Sequence, residues 1–129
     1  MKESIATGNA PEAIGPYSQA IKIGGSEMLF CSGQIALDPT TGEIYGQSVR
    51  EQTQRVMENL TAIIEAAGFT AADVVKTTIY LTDLGAFQEV NAVYETFFVY
   101  PFPARATVQV GALPRDALVE IDAIACRQA

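Results

Sequence analysis

The chain has 129 residues, of which 49% are hydrophobic and 18% charged, and its formal net charge is −7. This is the composition of an ordinary globular protein, and the length fits a single domain over residues 1–129. The negative charge argues against a nucleic-acid partner, because affinity for phosphates comes mainly from Lys and Arg, and only eight such residues are scattered along the chain. Because we find no signal peptide and no run of about 18 apolar residues, we expect a cytoplasmic protein that does not enter a membrane.

The absence of histidine restricts the chemistry that this chain can perform. Histidine is the usual general base, one half of the Ser-His and Cys-His nucleophile pairs, and the commonest zinc ligand. The two cysteines, Cys31 and Cys126, lie in apolar runs and predict buried free thiols. We therefore expect no metal and no cofactor. Any catalysis has to use carboxylates, arginine, tyrosine, hydroxyls, backbone groups and water.

Before the first helix, the pattern indicates one irregular segment and one hairpin. Residues 1–20 contain Ala-Pro and Gly-Pro-Tyr sequences, which mark tight turns. Two short apolar runs follow, 20–23 and 28–31, and the Gly-Gly-Ser between them predicts a β-hairpin. Ser32-Gly33-Gln34 comes directly after the second run, where a glycine by itself is only weak evidence for a site.

Two amphipathic helices are predicted, with a strand between them. The first begins at Ser48, because Ser48 and Glu51 have the spacing of a capping box, and it ends at Gly68. Residues 74–81 are rich in β-branched side chains and predict a strand. The second helix begins near Asp83. Its predicted buried stripe comprises Phe87, Val90, Tyr94 and Phe97 or Phe98.

Residues 103–126 predict a second hairpin, whose strands are joined by a loop at 111–116 that contains Gly, Pro and Asp. In each strand apolar residues alternate with polar ones. If both apolar faces meet one core, Arg105 and Glu120 lie on adjacent strands and share the opposite face. The apolar positions of the first strand are then Ala106, Val108 and Val110.

The order of elements is therefore β-β-α-β-α-β-β, an α+β domain with two helices on one face of one sheet. The opposite face is predicted to carry a mixture of polar and apolar side chains, which are Arg105, Thr107, Gln109, Leu118, Glu120, Asp122 and Ile124. This mixture is too apolar to face water and too polar for the core of a monomer. We therefore expect a homo-oligomer whose site lies between subunits.

A few residues have side chains suited to binding or catalysis. The guanidinium of Arg105 is suited to binding the carboxylate of a ligand with two parallel hydrogen bonds. The alternative role for Arg105 is a structural salt bridge with Glu120 or Asp122. Glu120 suits general acid–base chemistry through a water molecule. Tyr17 either lines a pocket or belongs to the core, and Asn91 either borders a site or bonds to nearby backbone. At this point the residues predict a small-carboxylate binder with open chemistry.

Short motifs occur in a specific order along almost the whole chain. They are Ala-Ile-Gly-Pro-Tyr at 13–17, Ser-Gly-Gln at 32–34, Glu-Ala-Ala-Gly at 65–68, Val-Lys-Thr-Thr at 75–78, Val-Asn-Ala-Val-Tyr-Glu at 90–95, Pro-Ala-Arg at 103–105, Leu-Pro-Arg-Asp at 113–116 and Val-Glu-Ile-Asp-Ala-Ile-Ala at 119–125. Through this ordered set the chain resembles the Rid family, the reactive intermediate deaminases, also called the YjgF family.

The resemblance implies a chorismate-mutase-like α+β fold, assembled as a homotrimer with sites between subunits. It also implies hydrolysis of 2-imino acids or their enamine tautomers, such as 2-iminobutanoate and 2-iminopropanoate, to 2-keto acids and ammonia. Such a reaction would protect pyridoxal-phosphate enzymes from damage by these imines. Carried over residue by residue, Arg105 would hold the substrate carboxylate and Glu120 would activate the attacking water. The residues expected to line the pocket are Tyr17, Ser32, Gly33, Phe87 and Asn91.

One position departs from the family pattern. Many members carry a cysteine two residues after the arginine, whereas this chain has Thr107, which can still place a hydroxyl at the pocket. Imine hydrolysis needs no thiol, so the departure leaves the deaminase hypothesis intact. The alternatives are a chaperone-like or translation-inhibiting interaction protein without catalysis, and a chorismate mutase. The latter would need several cationic groups in its cleft, and the sequence offers few.

Overall fold

The computed structural model describes residues 2–10, 12–25 and 27–127, which form an α+β domain. Within these residues the strands are β1 (Lys2–Ile5), β2 (Ala20–Ile23), β3 (Glu27–Gln34), β4 (Val74–Leu81), β5 (Ala104–Gln109) and β6 (Val119–Arg127), and the helices are α1 (Val49–Ala66) and α2 (Phe87–Tyr94).

Helix α1 forms where its capping residues and apolar stripe predict it. The Ser48 hydroxyl accepts a hydrogen bond from the backbone N–H of Glu51 at 3.1 Å, and the Glu51 carboxylate accepts one from the N–H of Ser48 at 3.2 Å. These two bonds satisfy donors that an isolated helix end leaves unpaired. At the other end Gly68 has a φ of +82°, the left-handed conformation that favours glycine. No helix in the described ranges is long and apolar enough to cross a membrane.

Helix α2 begins after a short 3-10 turn, Leu84–Ala86, that Asp83 caps. The Asp83 side chain accepts a hydrogen bond from the N–H of Gly85 at 2.8 Å. The 3-10 turn continues directly into α2, so helical structure begins near Asp83, as predicted. Val90 and Tyr94 of the predicted stripe are completely buried.

The strands pair differently from the two predicted hairpins. The described strands form a four-stranded sheet, ordered β3-β6-β4-β5, and a separate two-stranded sheet of β1 and β2. The first predicted hairpin is wrong, because β2 pairs with β1 and β3 pairs with β6. The single predicted sheet is wrong for the same reason, and β1 forms in a segment that we predicted to be irregular.

The second predicted hairpin is also wrong, because β4 lies between β5 and β6. Strand β5 pairs with β4 in parallel, and β6 pairs with β4 antiparallel. The chain leaves β4, passes through α2 and returns as β5, which is the crossover that parallel pairing requires. Turn residues mark where a chain bends, but they do not determine which strand becomes its neighbour.

This pairing reverses the predicted orientation of β5. The helix-facing side of the sheet consists of almost fully buried residues of β4 and β6, including Ile79 and Ile121. In the parallel register Thr107 pairs with Ile79, and Arg105 pairs with the buried Thr77. Arg105 and Thr107 therefore face the helices. Gln109, two residues further on, shares this face.

The prediction that Arg105 and Glu120 share one sheet face is therefore wrong. Tyr80, the partner of Glu120 on β4, alternates with the buried residues Ile79 and Leu81, so Glu120 lies on the opposite, open face. Ala106 and Val108, predicted to be core residues, lie on that face too, and Val108 is 42% exposed. The alternation itself was correct, but its apolar side faces away from the helices in β5.

The open face combines polar and apolar side chains, as predicted, although its membership differs. The Tyr80 hydroxyl donates a hydrogen bond to Asp122 at 3.1 Å. Phe30, which pairs with Ile124, is 67% exposed. Together with the exposed Val108 it gives this face apolar side chains on two strands, and a group of such side chains is typical of a surface that contacts another protein. That a second copy covers it remains a prediction.

Candidate functional site

Arg105 lies at the edge of the four-stranded sheet, and its guanidinium is surrounded by three aromatic rings. Its Cζ atom is 5.4 Å from the ring centroid of Tyr17, 5.3 Å from that of Phe87 and 5.2 Å from that of Tyr94. The faces of such rings carry partial negative charge and attract a cation. We call these four residues, together with Asn91, the arginine cage.

Asn91 provides the polar contact of Arg105 within the cage. The Arg105 Nη1 group donates a hydrogen bond to Asn91 Oδ1 at 2.6 Å. The two residues come from β5 and α2, and Asn91 lies one helical turn after Phe87. Asn91 is half-buried, and its side-chain oxygen bonds to the arginine rather than to nearby backbone.

The structural salt bridge that the sequence left open for Arg105 is not formed in the described part of the chain. The ion pairs there join Arg55 to Glu58, Arg115 to Glu43 and Arg127 to Glu27. Burial lowers the pKa of Arg105 from its ordinary value, because desolvation disfavours the charged form. Since an arginine remains charged at neutral pH, the cage presents a partly desolvated cation to an anion.

The segment that carries Tyr17 is held against the start of β5. The backbone N–H of Ser18 donates to the carbonyl of Pro103 at 3.1 Å, and the N–H of Ile14 donates to the Tyr17 hydroxyl at 3.4 Å. A Cβ atom on Gly15 would lie 3.8 Å from Arg105 Nη2, so the segment passes close to the guanidinium. Tyr17 is half-buried and contacts the arginine, which favours a pocket residue over a core residue.

Tyr94 is a cage residue that the sequence analysis placed only in the buried stripe of α2. Its hydroxyl and Thr77 Oγ1 are 2.7 Å apart and share a hydrogen bond. Burial raises the pKa of Tyr94, so the phenol is neutral at physiological pH. Its position three residues after Asn91 was the available signal, because residues at that spacing share one face of a helix.

Glu120 belongs to a second group of predicted residues, on the open face. The pairing of β6 with β3 has a register shift between Cys31 and Gln34, and Gly33 lies within that shift. A Cβ atom on Gly33 would lie only 2.0 Å from Glu120 Oε2. The absence of a side chain therefore makes room for the carboxylate against β3. We call Glu120, Gly33 and the exposed Ser32 the glutamate cluster.

The arginine cage and the glutamate cluster lie on opposite faces of the sheet. Their strand partners on β4 are Thr77 and Tyr80, which are three residues apart. That spacing corresponds to roughly 10 Å along the strand, and the crossing from β5 to β6 adds two strand spacings of about 4.8 Å. Within one chain, Arg105 and Glu120 therefore do not converge on one small molecule.

Thr107 is the remaining predicted site residue, and it lies beside Arg105 on the helix-facing side of β5. Its Oγ1 atom is buried and has no hydrogen-bond partner among the described residues. Cys31 and Cys126 are both buried, as the sequence predicts. Within the residues that the structure covers, no group of three or more His, Cys, Asp or Glu side chains is arranged to hold a metal ion.

The fold and the two groups of residues define a small α+β protein with a caged arginine and a separate carboxylate. Residues 7–127 match the family model described as endoribonuclease L-PSP. A RutC family protein of Pyrococcus horikoshii is 52% identical over 99% of this chain and 100% of its own length. The 2-iminobutanoate/2-iminopropanoate deaminase of Salmonella typhimurium is 48% identical over 99% of this chain and 100% of its own length.

Solved structures of proteins with similar sequences have the same fold. The E. coli protein TdcF, solved with bound serine, superposes with a TM-score of 0.74 at 45% identity, over 98% of this chain and 99% of that one. The chain belongs to the endoribonuclease L-PSP family, which includes the YjgF and Rid proteins.

Proposed function

We propose that this protein hydrolyses 2-imino acids, or their enamine tautomers, to 2-keto acids and ammonia. The observation that carries the proposal is the arginine cage, which holds a partly desolvated cation with no carboxylate partner among the described residues. A relative of 48% identity is named for this reaction on 2-iminobutanoate and 2-iminopropanoate. TdcF, at 45% identity, was solved with serine, a small amino acid that carries a carboxylate.

Arg105 would bind the substrate carboxylate. Its Nη1 is engaged by Asn91, and the remaining N–H groups of the fork are suited to a planar anion. The three rings of the cage exclude water from the guanidinium, which strengthens each charge-assisted hydrogen bond. Binding the carboxylate fixes the position of the adjacent imine carbon relative to the rest of the site.

Glu120 would activate the attacking water. The carboxylate accepts one proton as the water oxygen bonds to the imine carbon, and the electron pair of the C=N bond moves to nitrogen, which takes up a proton. The resulting carbinolamine then expels ammonia as its hydroxyl loses a proton and becomes the carbonyl group of the keto acid. An imine is already electrophilic, so acid–base help of about 10²–10⁴-fold is sufficient and histidine is not needed.

The two groups would meet across a subunit interface. Within one chain they face opposite sides of the sheet, so the reaction requires Arg105 from one protomer and Glu120 from another. The exposed Phe30, Met28 and Val108 on the open face support its burial against a second copy. We propose a homotrimer, with three such sites between subunits.

The second candidate is a protein that binds small carboxylates, or another protein, without catalysis. The arginine cage is complete within one chain and needs no general base to bind an anion, which is the observation that favours this alternative. RNA cleavage, which the family description names, receives little physical support. The chain carries a net charge of −7 and has no histidine to act as a general base.

Imine hydrolysis tests the proposal directly. An amino-acid oxidase generates 2-iminobutanoate or 2-iminopropanoate in the assay, and semicarbazide traps the imine that survives. Wild type is compared with Arg105→Ala, Arg105→Lys and Glu120→Gln, after light scattering has confirmed that all four have the same oligomeric mass. Arg105→Lys is the matched control, because it keeps the charge but loses the planar fork.

We expect the wild type to remove the imine, Arg105→Ala and Glu120→Gln to lose at least about a hundredfold in kcat/KM, and Arg105→Lys to retain part of the activity. If the wild type does not exceed the enzyme-free control with several imines, the deaminase proposal is wrong. Retained binding of 2-oxobutanoate would then favour the non-catalytic alternative.

A further inference from the structure

Two buried hydroxyl groups lie next to Arg105. Thr77 is 1% exposed and Tyr94 is completely buried, and their side-chain oxygens share a hydrogen bond of 2.7 Å. Thr77 belongs to β4 and is the register partner of Arg105 on β5. Tyr94 belongs to α2, and its ring centroid is 5.2 Å from the Arg105 Cζ atom. The hydrogen bond therefore joins the helix to the sheet at the position of the arginine.

Tyr94 is held more firmly than the other two rings of the arginine cage. Tyr17 and Phe87 are half-buried, whereas Tyr94 is completely buried. Its ring also packs against Phe98, with the ring centroids 4.9 Å apart and the planes inclined at 50°. A phenylalanine would offer Arg105 the same kind of ring face, so attraction of the cation alone does not account for the hydroxyl. What the hydroxyl adds is a fixed point for the far end of the ring.

The guanidinium of Arg105 needs a second contact besides Asn91 to have a fixed orientation. Asn91 accepts one hydrogen bond of 2.6 Å from Nη1, and by itself that bond leaves the guanidinium plane able to turn about it. A carboxylate accepts two parallel hydrogen bonds only when the plane has the matching orientation. The Tyr94 ring limits this turning as long as the ring itself does not move. Asn91 and Tyr94 are three residues apart on α2, so one face of the helix supplies both contacts.

We propose that the hydrogen bond between Tyr94 and Thr77 fixes the orientation of the Arg105 guanidinium, so that Arg105 binds the carboxylate of its ligand with two parallel hydrogen bonds. The inference rests on the proposed function for the identity of that ligand, a 2-imino acid or the 2-keto acid formed from it. Tyr94 and Thr77 are positioning residues that act through Arg105, and neither exchanges a proton or a bond with the ligand. Their contribution should be equal for substrate and product, because both present the same carboxylate.

A double variant separates the positioning role from a role in stability. Thr77→Val combined with Tyr94→Phe removes both hydroxyls, keeps the ring and leaves no buried hydroxyl of the pair unsatisfied, so its melting temperature should stay close to that of the wild type. Binding of 2-oxobutanoate is measured by titration calorimetry and imine hydrolysis by the semicarbazide assay. We expect about tenfold weaker binding and a KM raised by a similar factor, with kcat changed much less, because one of the two hydrogen bonds to the carboxylate is lost.

Further variants complete the test. Tyr94→Phe alone should weaken binding to the same extent and also melt at a lower temperature, because it leaves the buried Thr77 hydroxyl unpaired. Thr77→Ser keeps the hydroxyl and should restore wild-type binding. Ser48→Ala is the control for lost stability, since it weakens the cap of α1 and should leave KM unchanged. In an Arg105→Lys background the double substitution should change binding by less than about twofold, because an ammonium group has no plane to orient.

The outcomes distinguish this proposal from the deaminase proposal. If imines are hydrolysed but the double variant binds 2-oxobutanoate as tightly as the wild type, or loses as much affinity in the Arg105→Lys background, the positioning role is refuted and the deaminase stands. If the double variant loses affinity for 2-oxobutanoate while the wild type hydrolyses no imine, only the deaminase proposal fails. If the wild type neither binds nor hydrolyses, both are wrong.

Discussion

Arg105 is stabilised by aromatic ring faces and one amide oxygen instead of a carboxylate. This arrangement keeps the positive charge available, because a carboxylate partner would have to be displaced before another anion could bind. Asn91 fixes the orientation of the guanidinium without neutralising it. The same group in an ordinary salt bridge would hold the fork but would not attract an anion with equal strength.

Gly33 provides a prediction at the residue scale. In Gly33→Ala the new Cβ atom would lie 2.0 Å from Glu120 Oε2, and the flexible end of the glutamate would have to move. We expect kcat for imine hydrolysis to fall by at least about tenfold, because general-base catalysis depends on the position of the carboxylate. Steady-state kinetics of the purified variant, with circular dichroism to check its fold, measure this effect.

Gly111→Ala is the matched control for this substitution. A Cβ atom at Gly111 would meet no atom within 4 Å, so the variant should have wild-type kinetics. Equal activity of Gly33→Ala and Gly111→Ala would contradict a requirement for the observed position of Glu120.

At the scale of elements, the helices were predictable from sequence and the strand pairing was not. Ser48, Glu51 and Gly68 act on backbone groups within a few residues, so their effect is visible in a local pattern. The neighbours of β6, in contrast, are β3 and β4, which are distant in sequence. Their pairing depends on how all helices and strands pack together, and no turn signal encodes it.

For the candidate site, individual residues were predictable from the sequence, but their arrangement in space was not. Arg105 and Asn91 were identified as separate residues, and the structure brings them into contact. Tyr94 was assigned to the core because an aromatic residue on a helical stripe has no local feature that distinguishes a cage from a core. The opposite orientation of Arg105 and Glu120 was missed because it follows from the parallel pairing of β5.

The capping box of α1 provides a prediction at the scale of elements. Ser48→Ala removes the hydroxyl that accepts from the Glu51 N–H, and we expect the free energy of unfolding to fall by about 1 kcal/mol. Urea denaturation followed by circular dichroism measures the change. Ser48→Asp should keep most of the stability, because its carboxylate can accept the same hydrogen bond. A loss of equal size in both variants would mean that the cap does not stabilise the helix.

At the scale of the whole molecule, the proposed active site would be divided between protomers. The arginine cage is built by β5, α2 and the segment around Tyr17, and the glutamate cluster is built by β3 and β6. The sheet separates them within each chain. Each protomer would therefore contribute the anion site of one active site and the general base of another.

This division predicts complementation between two inactive variants. If Arg105→Ala and Glu120→Gln subunits are mixed in equal amounts, unfolded and refolded together, random assembly gives an intact pair at about a quarter of the interfaces of a cyclic oligomer. We therefore expect about a quarter of the wild-type activity to return. Each variant refolded alone is the control and should remain inactive. No recovery in the mixture, with normal oligomer mass, would indicate that both residues act within one protomer.

The place of β6 in the sheet has a consequence for how the chain is made in the cell. Val119–Arg127 comes after the other described strands in sequence, yet it lies between β3 and β4. During synthesis, β3 and β4 therefore leave the ribosome long before the strand that joins them. Until then the strand edges that β6 joins are unpaired, which favours aggregation. The four-stranded sheet closes in a late step, when the glutamate cluster is also completed.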